Sequence, residues 1–228
     1  MNKKLMLLAA GVLSALAFAA LPALASADEF AQDCEGAVEC TGTIAGGVSE
    51  LENSAGERIR CTGVNGSASF PSTVTTGSVS LNFTECREQV TFFKFKCNSE
   101  GAAAGEIKVG LFTYHIINLE HTPTTTPGIK ITNINVTIEC TGFAKKTVTG
   151  KVIGEIEEAS SICNTFVNAH KINFAQSATT GKQKWIQTET TGTTTDLESN
   201  NHNGGPYLTS AQIGTGTITW DHNVKITC

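Results

Sequence analysis

The side chains of this 228-residue chain that can do chemistry are five scattered histidines, eight cysteines and a few grouped acids. Glycoside hydrolysis needs two carboxylates a few ångströms apart. Glu155, Glu157 and Glu158, with Asp196 further on, are the candidates, but they read as a solvated group at a strand end. A cysteine nucleophile needs a free thiolate beside a base, and an even set of cysteines in an exported chain leaves none free. The serine-elbow, zinc-protease, Ser-x-x-Lys and phosphate-loop motifs are all absent from the sequence. No catalytic residue is therefore assigned, and no cofactor is expected.

Two binding sites are written as candidates. The polar run from Asp196 to Gly205 offers Asp196, Glu198 and Asn200 as oxygen ligands for calcium, which takes six to eight. Its spacing matches no calcium-loop motif, and a solvated turn before Pro206 is the plainer account. Tyr207 and Trp185 offer a stacking surface for a sugar, whereas Trp220 is in phase with Ile218 and reads as core. Among the histidines, His170 and His222 lie in or beside strands and read as structural, while His115, His121 and His202 form no cluster.

Lys3 and Lys4 precede an uncharged apolar run from Leu5 to Leu21, and Ala25-Ser26-Ala27 has the small-x-small form of a cleavage site. This pattern predicts a signal peptide over 1–27 and a secreted or cell-envelope product starting at Asp28. No second stretch reaches spanning length, so stable membrane insertion is not expected. The chain's formal charge is −5, and its 16 lysines and arginines are dispersed, which argues against a nucleic-acid partner.

The eight cysteines, Cys34, Cys40, Cys61, Cys86, Cys97, Cys140, Cys163 and Cys228, contain no Cys-x-x-Cys pair. In an oxidising compartment they predict up to four disulfides rather than a metal site. Sequence proximity suggests Cys34–Cys40 and Cys86–Cys97, which would leave Cys61–Cys140 and Cys163–Cys228 as long-range bridges.

The elements that carry these residues are strands. Val79, Leu81 and Phe83 alternate, as do Phe93, Phe95 and Cys97; Ile134, Val136, Ile138 and Cys140; and Val224, Ile226 and Cys228. Ile129 and Ile131 are out of phase with Ile134, which predicts a bulge near Thr132-Asn133. Gly150 and Gly154 mark bulges or close backbone approach. Lys184–Thr188 reads as a short strand and Gln212–Cys228 as a hairpin. Roughly 9 to 13 strands separated by Gly, Asn and Pro turns predict an all-β fold, an antiparallel β-sandwich or barrel stapled by disulfides. The layout is a leader over 1–27, a Cys34/Cys40 segment over 28–56 and one β domain over 57–228. Thr122–Thr126 and Thr188–Thr195 read as extended loops or edges, and Asn65, Asn82 and Asn135 each open a glycosylation sequon.

Three runs together resemble a group of uncharacterised secreted proteins of soil actinobacterial type. They are Thr76 to Cys86, Cys97 to Gly101 and Val148 to Ile156, with Cys61, Gly105-Glu106-Ile107 and Cys140 around them and Gly181-Lys182-Gln183 and Asp196-Leu197-Glu198 beyond. The resemblance covers most of the mature chain. It implies export and a shared β scaffold, and it transfers no functional residue. It also implies that Cys34/Cys40 and Cys163/Cys228 are each added as a pair to a four-cysteine pattern. The reading that follows is a secreted or cell-envelope, non-enzymatic β protein with a structural or binding role, with cell-wall or extracellular glycan as the candidate partner. The alternatives are a polysaccharide hydrolase and a barrel holding a small apolar ligand, which predicts an internal cavity of roughly several hundred Å³ lined by Phe and Ile.

Overall fold

The computed structural model describes residues 29–90, 93–119, 126–141, 145–157, 163–187, 196–200 and 205–228. The leader expected over 1–27, Glu158, His121, His202, and residues 122–125 and 188–195 of the Thr-rich stretches lie outside them. The described residues form β1 (Ala31–Cys34), β2 (Glu39–Asn53), β3 (Arg58–Cys61), β4 (Gly63–Pro71), β5 (Thr76–Thr84), β6 (Arg87–Val90), β7 (Phe93–Ser99), β8 (Ile107–Asn118), β9 (Pro127–Cys140), β10 (Lys145–Glu157), β11 (Val167–Phe174), β12 (Leu197–Asn200) and β13 (Tyr207–Thr227). All the strand pairings are antiparallel and belong to one sheet.

Several strands continue one another. β3 and β4 pair with β2 in one register, and β6 and β5 pair with them in turn. β7 and β8 lie end to end along β9, and β12 and β11 lie end to end between β10 and β13. The ladder then returns to its start, because β13 pairs with β2 from Ser210↔Asn53 to Trp220↔Gly42. The pairings thus form a closed circuit in which successive staves are neighbours in sequence. β2 lies inside the 28–56 segment, so that segment is part of the same sheet. β13 is one strand, not the hairpin expected over Gln212–Cys228. The register shift between Gly214 and Gly216 adjusts its path without reversing it.

The alternation decides what faces inward. Val79, Leu81 and Phe83 all line the interior. On β9 the register slips between Ile134↔Gly150 and Ile131↔Val152, with Asn133 at φ 60° and Gly150 at φ 111°. The slip is the bulge read from the sequence. It turns Ile129 and Ile131 to the same side as Ile134, Val136 and Ile138, so one long strand presents isoleucines inward along its length. A Cβ on Gly150 would lie 2.2 Å from the Asp196 carbonyl oxygen, so only glycine fits there.

Lys184–Gln187 is not the short strand expected. Gln183 instead serves the edge of β10 between β11 and β12. Its side-chain amide accepts from the Ile153 N–H at 3.0 Å and donates to the Lys151 carbonyl at 3.1 Å. A side chain thus satisfies the backbone groups where the ladder is interrupted.

The disulfides are Cys34–Cys40, Cys61–Cys86, Cys97–Cys140 and Cys163–Cys228. The expected Cys86–Cys97 and Cys61–Cys140 bridges do not form. Cys61 of β3, Cys86 just ahead of β6, Cys97 of β7 and Cys140 of β9 stand in one row. The Cys97 N–H donates to the Cys86 carbonyl at 2.9 Å, while the Cys86 N–H donates to the Gly105 carbonyl at 2.8 Å, so one ladder hydrogen bond joins Cys86 and Cys97. The two bridged pairs have Cα atoms 3.9 Å apart, at the close spacing of non-hydrogen-bonded pairs, where side chains approach most nearly. Cys61 and Cys140 are separated by two intervening strands. Cys228 is exposed beyond the end of β13, although its phase matches Ile226.

Candidate functional site

The interior holds an apolar cavity of about 150 Å³, smaller than the roughly several hundred expected for an apolar-ligand barrel. Its wall is built from nearly every stave, including Ile44, Leu51, Val79, Phe83, Phe112, Ile131, Val148, Phe174 and Ile218. Ser49, Gln212 and Thr215 are the polar side chains on it, all at the β2–β13 seam. Seen from the sequence, the cavity is the sum of inward positions spread over the chain. No local motif encodes it.

The two ends of the interior differ. At one end, Lys146 on β10 donates to Glu88 on β6, and to Glu57 at 3.1 Å. Asn53 Nδ2 donates to Glu57 Oε2 at 3.0 Å. Glu88 stands opposite Ile59, and Lys146 opposite Ile138, both of which line the cavity. β7 and β9 separate β6 from β10 in the sheet, so this ion pair spans the interior. Glu88 Oε2 is buried without a hydrogen-bond partner among the described residues. Lys146 shares its phase with Val148, a signal from which its inward position can be read, although it is not among the residues singled out from the sequence. Glu88 sits in the polar run Arg87-Glu88-Gln89, which carries no such signal.

At the other end, Trp220 Nε1 donates to His170 Nδ1 at 3.0 Å, and the Tyr114 hydroxyl donates to Gln32 Oε1 at 3.1 Å. Burial lowers the His170 pKa to about 4 and pushes the Tyr114 phenol far above its usual value. Phe70 meets Trp220 edge-on, with ring centroids 5.1 Å apart. A second cavity of about 20 Å³ lies among these four polar side chains and shares Ile129, Ile172 and Ile218 with the larger one. Trp220 is core and His170 lies in a strand, as their phase indicated. Gln32 is in phase with Cys34, and its role became visible only once β1 was placed against β13.

The residues singled out from the sequence lie elsewhere. Glu155 and Glu157 flank the inward Ile156, so they point outward from β10, where Glu157 pairs with Lys171. Asp196 sits beside Gly150, five residues along the same strand and roughly 17 Å from Glu155. The three acids therefore share no cleft. Asp196, Glu198 and Asn200 are spaced along an extended segment, and Asn200 Oδ1 accepts from the Thr147 N–H at 2.7 Å. The structure does not gather them, and among the described residues no group of three His, Cys, Asp or Glu is placed to hold a metal.

Trp185 is 7 % exposed and packs with Ile117, Leu119 and Ile153 in a separate cluster, under Lys184. Tyr207 is 48 % exposed at the start of β13, so the two rings form no common platform. Asn65 and Asn135 are exposed, while Asn82 is half-buried with its Oδ1 enclosed. No helix among the described residues is long and apolar enough to cross a membrane. Comparison with family models, with curated proteins and with solved structures finds no match to this chain.

Proposed function

We propose that this chain is an exported, non-enzymatic binding protein whose closed sheet works as a barrel around one small apolar molecule. The observation that carries the reading is the cavity of about 150 Å³, walled by isoleucine, valine, leucine and phenylalanine from most of the staves. Native interiors are close-packed, and a void of this size forfeits contacts that a ligand can restore. An apolar cavity of about that volume is dry and takes up benzene-sized molecules. Four disulfides suit an oxidising extracellular compartment, in keeping with the leader over residues 1–27.

The outer face supports a water-facing exterior. Ser67 and Ser80 hydrogen-bond to each other across β4 and β5 at 3.0 Å, on the side opposite Val79 and Leu81. Apolar-in and polar-out is the reverse of a lipid-facing sheet.

The test is calorimetric titration of the oxidised mature chain with benzene, toluene and isopropylbenzene. Saturable one-to-one binding is expected, and it should be lost in Val136→Phe, which fills the cavity. Absence of saturable uptake by the wild type would remove the reading.

A further inference from the structure

Two buried donors at the His170 end have no partner among the described residues. His170 is 4 % exposed and Gln32 is 2 % exposed, and the Nε2 atom of each lacks a hydrogen bond. Their identity as donors follows from their other contacts. His170 Nδ1 accepts from Trp220, so the neutral ring carries its proton on Nε2. Gln32 Oε1 accepts from Tyr114, so the amide's NH₂ is the free end. Tyr114 and Trp220 have already spent their only protons. Leaving such groups unmade is costly, and both side chains line the small cavity that adjoins the large apolar one. Among the described residues, no charged side chain lines that small cavity. A carboxylate placed there would be buried without a cation, which is strongly unfavourable.

We infer that the ligand is an apolar molecule bearing one neutral acceptor oxygen, of carbonyl or ether type. That oxygen is received by His170 Nε2–H and the Gln32 amide while the apolar body fills the larger cavity. This rests on the cavity-binding reading proposed above and narrows its ligand class. The same acceptor oxygen can be supplied by a single buried water, because about 20 Å³ is room for one, so the arms of the test must separate ligand from water.

The probes are acetophenone and isopropylbenzene, which share a shape except that a carbonyl oxygen replaces a methyl group. Both are titrated into the oxidised mature chain and into the double variant Gln32→Leu/Tyr114→Phe, which removes the amide donor without orphaning the phenol. Acetophenone should bind the variant about tenfold more weakly, and isopropylbenzene should bind both proteins alike. In the wild type, the infrared carbonyl stretch of bound acetophenone should fall below its value in alkane solvent. An unchanged acetophenone affinity in the variant would overturn the assignment. So would a carbonyl stretch equal to that in alkane, which would mean that water keeps the donors. If the variant does not fold, the infrared measurement on the wild type decides. If neither compound binds the wild type, it is the cavity reading itself that fails.

Discussion

Cys86 and Cys97 stand opposite each other on the β6–β7 hairpin, joined by a 2.9 Å backbone hydrogen bond, yet each forms its disulfide with a strand on the other side. The row Cys61, Cys86, Cys97, Cys140 therefore carries two bridges that clamp β3 to β6 and β7 to β9. The antiparallel ladder explains the choice, since bridged and hydrogen-bonded pairs alternate along the row.

Non-reducing peptide mapping should recover Cys61 joined to Cys86 and Cys97 joined to Cys140. Removing the second bridge with Cys97→Ala/Cys140→Ala opens a loop with a sequence separation of 43, and should lower stability by about 4 kcal/mol in guanidinium unfolding. Removing Cys34–Cys40, separated by 6, should cost about 2 kcal/mol. Equal losses for the two would contradict the chain-entropy origin of the difference.

The Lys146–Glu88 pair across the interior should behave as a buried ion pair. Lys146→Met leaves Glu88 with no cation and should destabilise by about 3–5 kcal/mol. Lys146→Met/Glu88→Leu should recover most of that loss, because the second change removes the stranded charge. A double-mutant cycle in urea gives the coupling, and additive losses would show that the two side chains do not interact.

His170 should make stability depend on pH in a defined window. Its pKa is about 4 in the folded state and about 6.5 in the unfolded chain. Between those values the unfolded state takes up a proton that the folded state refuses. Stability is therefore unaffected above about pH 7 and falls as pH drops toward 4, by up to about 3 kcal/mol. Asp33 and Asp221 have lowered pKa values, chiefly through hydrogen bonds from Ser72 and Thr41, so their contributions are lost only at still lower pH. Unfolding free energies at pH 7.5, 6 and 4.5 check this, and His170→Phe should flatten the slope. An unchanged slope would assign the effect to other groups.

Gly150 should be intolerant of any side chain. Gly150→Ala places a Cβ 2.2 Å from the Asp196 oxygen at a φ of 111°, so about 3 kcal/mol of stability should be lost. Thermal melting measures the loss. A melt like the wild type's would mean that the 150–152 bulge adapts freely.

The strand content, the slip at Thr132-Asn133 and the inward set Val79, Leu81, Phe83 were legible because each is a local alternation in the pleat. The inward position of Lys146 was legible in principle, through its phase with Val148. The role of Glu88 was not, since its own strand has no apolar alternation. Gln183 stands just ahead of the short strand read over Lys184–Thr188, where no local pattern gives it a role. Its function depends on a gap in a ladder more than 25 residues away along the chain.

The sequence by itself determined the all-β class, the disulfide chemistry and which side of most strands is apolar, because those follow from residue type and a two-residue period. Only the tertiary structure decided which cysteines are joined, that β13 returns to pair with β2, and that the apolar faces enclose a void with orphaned donors at one end. These depend on which strands are neighbours and on their register. Disulfide partners need Cα atoms within a few ångströms, and a cavity exists only where inward faces from many staves fail to meet. Neither condition is written in any single stretch of chain. The cysteines that look paired by proximity, Cys86 and Cys97, are hydrogen-bonded neighbours that leave their sulfurs to β3 and β9.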